Sequence, residues 1–226
     1  MKRIEVLDVW RSFCVLIMVV YHALYDAALF GKFSMAFFDR PAMLVLRYVT
    51  AGCFIFISGL VSARSNRGIR RGFTIFCLGF AVTVVTTLAG MQVAFGILQF
   101  MGIAMMLCGL VKKYCGIPKK PWFALACAAL FILCACTLPG FTVNSRWLYP
   151  LGVKYAGFAS ADYFPIFPWI FLTLLGAWCG AYVFESEAKI LKRQFPKVLT
   201  FPGKHSLLIY LLHQPILYGI CLLLWG

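Results

Sequence analysis

The stretch "RSFCVLIMVVYHALYDAALFGK", residues 11–32, has the length and apolar content of a membrane-spanning helix but keeps ionisable side chains. Arg11, His22 and Asp26 lie within its apolar run or at its ends. A helix needs about 20 mainly apolar residues to cross the hydrocarbon core of a bilayer. An ionisable group inside that core is costly, so it is usually paired and usually functional. The stretch therefore predicts a transmembrane helix whose polar groups have partners or a chemical role.

The composition extends this prediction to the whole chain. The 226 residues are 63% hydrophobic and only 12% charged, with a mean hydropathy of +0.90. A soluble domain typically has about a quarter of its residues charged. The chain is therefore predicted to be an integral membrane protein. Its first apolar run is longer than the core of a signal peptide and carries ionisable residues, so we expect it to remain as the first helix.

Seven apolar runs, broken by Pro, Gly or charged residues, predict an all-α polytopic bundle formed by one domain, residues 1–226. The runs are residues 10–30, 41–62, 73–90, 93–111, 121–138, 164–184 and 206–225. The third and fourth are joined by "LAGMQ", which predicts a tight helical hairpin. The longest polar connection, residues 139–165, is rich in aromatic residues and Gly, and we expect it to fold back over the helices.

The distribution of basic residues predicts how the bundle is oriented. Lys and Arg in short loops favour the cytoplasmic side. The segments "MKR", "ARSNRGIRRG", "KKYCGIPKK" and "ESEAKILKRQFPKVLTFPGKH" all fall on one side of a seven-helix bundle. We therefore expect a cytoplasmic N-terminus and an extracytoplasmic C-terminus. The net charge of +14 is interpreted as this topology signal rather than as a nucleic-acid-binding surface, although "RSNRGIRR" is also a candidate for binding phosphates.

The ten cysteines show no pattern typical of metal or redox chemistry. All except Cys115 lie in apolar runs, where a thiol behaves as a small hydrophobic group. The sequence has no CxxC pair and no Cys/His spacing typical of zinc. It also lacks a Gly-rich phosphate loop, a GxSxG elbow and an HExxH motif. We predict no metal site.

The ionisable residues inside the apolar runs are the best candidates for function. Asp8 and Arg11 are three residues apart, so they can pair on one helix face near the predicted cytoplasmic end. His22 and Asp26 are four apart, and His22 lies about 16 Å further along the helix than Arg11. A carboxylate beside an imidazole fixes its tautomer and raises its basicity, as a general base requires.

Arg47 in the second run has the same predicted depth as Asp26, which predicts an ion pair between the two helices. Structural roles are the alternative throughout. A buried ion pair can simply hold helices together, and a single imidazole can be satisfied by a backbone carbonyl.

Several motifs also resemble a known family. They are "LDVWRSFCVLIMVVYHALYD", "FIFISGL", "FGILQFMGIAMML", "DYFPIFPWIFLTLLGAWCG" and "GKHSLLIYLLHQPIL", which are spread over nearly the whole chain. Together they resemble the bacterial membrane proteins related to the catalytic domain of heparan-alpha-glucosaminide N-acetyltransferase. The start is also similar to the broader transmembrane acyltransferases, whose first helix combines Asp and Arg with a later His.

The resemblance implies a multi-pass protein of the bacterial cytoplasmic membrane that transfers an acetyl or other short acyl group. The donor would be cytosolic acyl-CoA. The acceptor would be a hydroxyl or an amine of a sugar or glycan on the extracytoplasmic side. The heparan enzyme itself is longer, so only its reaction class is carried over.

The resemblance and the depths of the residues give a set of candidate site residues. His22 and Asp26 are the candidates for catalysis. The candidates for binding the donor are Asp8, Arg11, Arg64, Arg67, Arg70, Arg71 and Ser206. The candidates for binding the acceptor are Arg47, Gln99, Asp162, Tyr163, Tyr210, His213 and Gln214. The family often has a histidine at the position of Gln99, so the substrate of this chain can differ.

Two other classes of function fit some of these residues. Arg11, His22, Asp26 and Arg47 could form the proton or anion relay of a transporter or flippase. The sequence shows no duplicated halves and no matching pair of interrupted spans, which disfavours that class. A noncatalytic membrane protein that uses the buried pairs for assembly is the other alternative.

Overall fold

The computed structural model describes residues 3–91, 93–186 and 188–226. Its elements in this part of the chain are helices, with no β-strand. The helices are α1 (Glu5–Leu29), α2 (Pro41–Arg64), α3 (Gly68–Leu88), α4 (Ile97–Tyr114), α5 (Pro121–Thr137), α6 (Ile166–Val183), α7 (Lys189–Lys192), α8 (Lys197–Lys204) and α9 (Ser206–Trp225).

Within the described residues, seven helices are long and apolar enough to cross a membrane, namely α1 to α6 and α9. This confirms the predicted all-α polytopic fold. The largest boundary differences are at α1, which begins at Glu5 rather than residue 10, and at α3, which begins at Gly68 rather than residue 73. Acidic residues in the first turn of α1 favour its earlier start, because they complement the positive end of the helix dipole.

The chain divides into two compact units, which are described separately. The first unit comprises Met1–Phe54 and Glu187–Gly226, and the second comprises Ile55–Ser186. The first contains α1, the beginning of α2, and α7 to α9. The second contains the rest of α2 and α3 to α6. That the whole chain acts as a single domain remains a prediction.

In the first unit, α1 packs against α8 and α9. α1 and α9 run parallel, since His22 contacts His213 and, further along both helices, the ring of Phe30 lies 5.6 Å from that of Tyr218. The beginnings of both helices therefore lie at the same end of this unit. The polar side chains of α9 therefore lie at the same level along the helix axes as those of α1.

The short helix α8 was not predicted, and it is fastened to the first turns of α1. The Ser12 hydroxyl donates to the Asp8 carbonyl at 2.9 Å and accepts from the Gly203 amide at 2.7 Å. Gly203 lies so close to the Asp8 carbonyl that a Cβ at position 203 would overlap that oxygen. Glycine at this position therefore lets the two backbones touch.

In the second unit, α3 and α4 form the predicted hairpin, but α3 ends at Leu88 and α4 begins only at Ile97, so the link is longer than "LAGMQ", whose last residue, Gln92, lies outside the described residues. α4 begins late because Gly96 is its N-cap, and the Gly96 amide donates to the Gln99 side chain at 2.7 Å. The long loop folds back as expected. The Phe164 amide donates to the Phe95 carbonyl at 3.0 Å, which fixes the loop on the start of α4.

Gly203→Ala should destabilise the packing of α8 on α1, because the added methyl group overlaps the backbone of α1. Overpacking of this kind costs about 1–3 kcal/mol. Thermal unfolding in detergent should show a lower midpoint for this variant. The matched control is Gly219→Ala on α9, where an added Cβ meets no atom within 4 Å. That control should be neutral or stabilised by about 0.5–1 kcal/mol, and equal midpoints for the two variants would contradict the described packing.

Candidate functional site

Two imidazoles meet where α1 and α9 pack together in the first unit. His213 Nε2 lies 3.3 Å from His22 Nδ1, and the ring centroids are 4.9 Å apart. Both rings also face the backbone of their own helix. His22 Nδ1 lies 3.0 Å from the Met18 carbonyl, and His213 Nδ1 lies 2.7 Å from the Tyr210 carbonyl. His213 is only 8% exposed, so the pair forms a partly buried polar site among apolar helices.

A carboxyl and a carboxamide form the next contact along the same two helices. The Gln214 side chain donates to Asp26 Oδ1 at 2.8 Å, and Asp26 is only 2% exposed. Asp26 Oδ2 and Gln214 Oε1 are buried and have no hydrogen-bond partner within the described part of the chain. The cluster formed by His22, Asp26, His213 and Gln214, called the α1–α9 cluster below, therefore has unused capacity to accept hydrogen bonds.

The predicted contact between His22 and Asp26 is wrong. The two residues have the predicted i, i+4 spacing, but helical side chains lean toward the N-terminus of the helix. His22 accordingly reaches back to the Met18 carbonyl, while Asp26 is satisfied by Gln214 from α9. The His213 ring on α9 meets the His22 ring from outside its own helix.

The predicted ion pair between Asp26 and Arg47 is also wrong. The Arg47 guanidinium donates to the Tyr48 hydroxyl at 2.9 Å and lies 4.8 Å from the centre of that ring. Arg47 is on an exposed face of α2, whereas Asp26 is buried. A long arginine side chain can keep its stem on apolar surface while its head finds a polar partner, so it need not turn inward.

The predicted pair between Asp8 and Arg11 is confirmed, with 3.7 Å between Asp8 Oδ1 and an Arg11 nitrogen. Arg3 was missed by sequence reasoning and is the nearer partner, because its guanidinium donates to both oxygens of Asp8 at 2.7 and 3.3 Å. No spacing rule indicates it, since Arg3 precedes the helix. Asp8 is 1% exposed, so its charge is buried under two guanidinium groups.

Three predicted acceptor-binding residues belong to the second unit, where they have partners that support the backbone. Gln99 accepts from the Gly96 amide, and Asp162 accepts from the Ile97 amide at 2.9 Å. The Tyr163 hydroxyl donates to the Tyr149 carbonyl at 2.6 Å. Burial raises the pKa of Tyr163 to about 12, so it remains a donor at neutral pH. These contacts stabilise the long loop and the start of α4. A role for the three residues in acceptor binding stays a prediction.

The remaining donor-binding candidates lie at helix ends. Arg64 ends α2, and its guanidinium lies 5.7 Å from the Phe184 ring beside a cleft of about 300 Å³. Arg67, Arg70 and Arg71 are exposed around the start of α3. Ser206 is the first residue of α9, and Tyr210 follows one turn later with its ring 5.6 Å from His213.

No cluster of three or more His, Cys, Asp or Glu side chains suited to a metal ion occurs among the described residues.

A family comparison identifies the chain. The family model described as "Heparan-alpha-glucosaminide N-acetyltransferase, catalytic" matches residues 3–215 of the 226. The chain belongs to this family. Membership indicates a membrane acetyltransferase, and the matched residues include the Asp8 pairs and the whole α1–α9 cluster. No curated protein and no solved structure matches the chain.

The contact between Asp26 and Gln214 should appear as energetic coupling in this acetyltransferase-family protein. Removing either side chain leaves buried polar atoms of the other unpaired. In a double-mutant cycle on thermal stability in detergent, Asp26→Ala and Gln214→Ala should be non-additive by about 0.5–3 kcal/mol.

The same cycle with Asp26→Ala and Arg47→Ala provides the control. Its effects should add to within about 0.5 kcal/mol, because the two side chains share no partner. Strong coupling of Asp26 to Arg47, together with none to Gln214, would reverse the assignment.

Proposed function

We propose that the protein transfers an acetyl or other short acyl group from cytosolic acyl-CoA to a hydroxyl or an amine on the opposite side of the membrane. The α1–α9 cluster is the observation that carries this proposal. It places His22, His213 and a buried carboxyl group among membrane-length helices of a protein whose family indicates acetyl transfer. Burying such groups is costly, and a reaction at this place gives a reason to keep them.

The pairs around Asp8 support donor binding at the start of α1. Asp8 is held under Arg3 and Arg11, so it neutralises part of their charge and fixes their positions. The Arg3 side chain is 55% exposed and can still offer N–H groups to phosphate oxygens. In this proposal Asp8 orients the arginines rather than touching the donor, because a carboxylate would repel phosphates.

The distance along α1 fits an extended donor. Arg11 and His22 are eleven residues apart, which corresponds to about 16 Å along the helix axis. A donor bound by its phosphates near Arg11 would extend its pantetheine arm along α1 and bring the thioester carbonyl toward His22. Arg64, Arg67, Arg70, Arg71 and Ser206 remain further candidates for contacts with the donor.

The chemistry needs a base, which His22 can supply. His22 takes a proton from the acceptor, whose oxygen or nitrogen attacks the thioester carbonyl. The carbon–sulfur bond then breaks, and the departing thiolate of CoA takes up the proton that His22 holds. The spare oxygens of Asp26 and Gln214 can accept hydrogen bonds from the acceptor. Transfer through an acyl group on His22 uses the same residues, with His22 as the nucleophile.

His22→Ala should abolish acyl transfer while leaving donor binding largely intact. A general base contributes about 10²- to 10⁴-fold to the rate. The measurement is the release of free thiol from acetyl-CoA by the purified protein, with glucosamine as a probe acceptor that offers both an amine and hydroxyl groups. Binding of acetyl-CoA is measured in parallel. His205→Ala is the matched control, since His205 is an exposed histidine outside the cluster.

Arg11→Ala should show the opposite pattern, with weaker acetyl-CoA binding and a smaller loss of rate at saturating donor. A wild-type protein that binds no acetyl-CoA and releases no thiol would reject the proposal and favour a transporter or an assembly role. A His22→Ala protein with normal turnover would remove His22 from the mechanism.

A further inference from the structure

The hydrogen positions on the two clustered imidazoles follow from their carbonyl neighbours. Each Nδ1 faces a backbone carbonyl, at 3.0 Å for His22 and 2.7 Å for His213. A carbonyl oxygen can only accept a hydrogen bond. Each carbonyl therefore favours hydrogen on the Nδ1 atom that faces it, which is an assignment made from the hydrogen-bond network.

The contact between the rings then fixes a third nitrogen. His213 Nε2 faces His22 Nδ1 at 3.3 Å. If Nε2 of His213 were also protonated, two N–H groups would point at each other. His213 Nε2 therefore accepts, and the Nδ1–H of His22 is shared between this nitrogen and the Met18 carbonyl, as in other three-centre hydrogen bonds. In the neutral ring of His22, the lone pair is left on Nε2.

We propose that His213 is a positioning residue, which holds His22 as the Nδ1–H tautomer and so presents Nε2 to the acceptor. The role resembles that of a carboxylate behind a catalytic imidazole, where the partner fixes the tautomer and the ring orientation. Sequence reasoning gave this role to Asp26, whereas in the structure a second imidazole shares it with the Met18 carbonyl. The catalytic consequence rests on the proposed function, but the tautomer does not.

The proton movements balance under this assignment. The acceptor O–H or N–H gives its proton to Nε2 of His22, while the hydrogen on Nδ1 stays in place. The resulting imidazolium is stabilised because its Nδ1–H can donate more strongly to His213 Nε2 and the Met18 carbonyl. When the carbon–sulfur bond breaks, the proton on Nε2 passes to the leaving thiolate, and His22 returns to its starting tautomer.

The chain has only three histidines, so nitrogen NMR can test this directly. Protein labelled with ¹⁵N at histidine is measured in detergent or nanodiscs at about pH 8.5, where an ordinary imidazole is neutral. Chemical shifts separate protonated from unprotonated ring nitrogens. We expect two rings in the Nδ1–H form and a third set of signals from His205, which is exposed and lies outside the cluster. His205→Gln should remove that third set of signals alone.

Two substitutions at position 213 distinguish a role in setting the His22 tautomer from a role in helix packing alone. His213→Gln retains an oxygen that can accept from His22 Nδ1–H, whereas His213→Leu has no acceptor. The Nδ1–H population of His22 should stay high in His213→Gln and fall in His213→Leu. A wild-type His22 ring in the Nε2–H form would overturn the assignment even if both variants failed to fold. An unchanged His22 ring in a folded His213→Leu protein would show that Met18 alone sets the tautomer.

The nitrogen NMR result also distinguishes failure of the positioning role of His213 from failure of the proposed acyl transfer. The spectrum requires neither a donor nor an acceptor. The expected tautomers in a protein that releases no thiol from acetyl-CoA would uphold the positioning of His22 by His213 and reject acyl transfer. Thiol release by a protein whose His22 carries hydrogen on Nε2 would uphold acyl transfer and reject the positioning role.

Discussion

The polar contact between α1 and α9 is the interaction on which the packing of these two helices and the candidate site depend. Membrane-length helices can bury polar side chains only if those side chains satisfy one another. His22 meets His213, and one turn further Asp26 accepts from Gln214. His22 and Asp26 of α1 thus each have a partner on α9. The parallel packing of the two helices sets both contacts. Loss of this packing would separate the two imidazoles and remove the Gln214 hydrogen bond from the buried Asp26 carboxyl group.

A second contact supports the other end of α1. Ser12 bonds both to the Asp8 carbonyl and to the amide of Gly203, so α8 is fixed to the first turns of the helix. Asp8 in turn holds Arg3 and Arg11. A basic group of fixed geometry therefore lies at the beginning of α1, and His22, the α1 member of the imidazole pair, lies further along the same helix. This separation suits a substrate with an anionic head and a reactive group at the far end of a long arm.

Much of the fold could be predicted from the sequence, because apolar length alone identifies a helix that must satisfy its own backbone in lipid. The seven spans and the pair between Asp8 and Arg11 follow from such local rules. The partners of His22, Asp26 and Arg47 did not, since spacing on one helix does not say which way a side chain leans or what the neighbouring helix offers. Shared depth predicted that His213 and Gln214 lie level with His22 and Asp26, as they do, but it also suggested an ion pair for Arg47, whose guanidinium instead donates to the Tyr48 hydroxyl. Helix α8 was hidden in a segment whose basic residues indicated only a cytoplasmic loop.

The central claim is that His22 and His213 act as one unit in acyl transfer, and a kinetic cycle on the two residues tests it most directly. Thiol release from acetyl-CoA would be measured for His22→Gln, His213→Gln, His213→Leu and the double variant His22→Gln with His213→Leu. His213→Leu should slow turnover at unchanged donor affinity, and His213→Gln should recover part of the rate. The double variant should be no slower than His22→Gln alone, as expected for residues that act together. A His213→Leu protein with the wild-type rate, or losses that multiply in the double variant, would contradict the central claim.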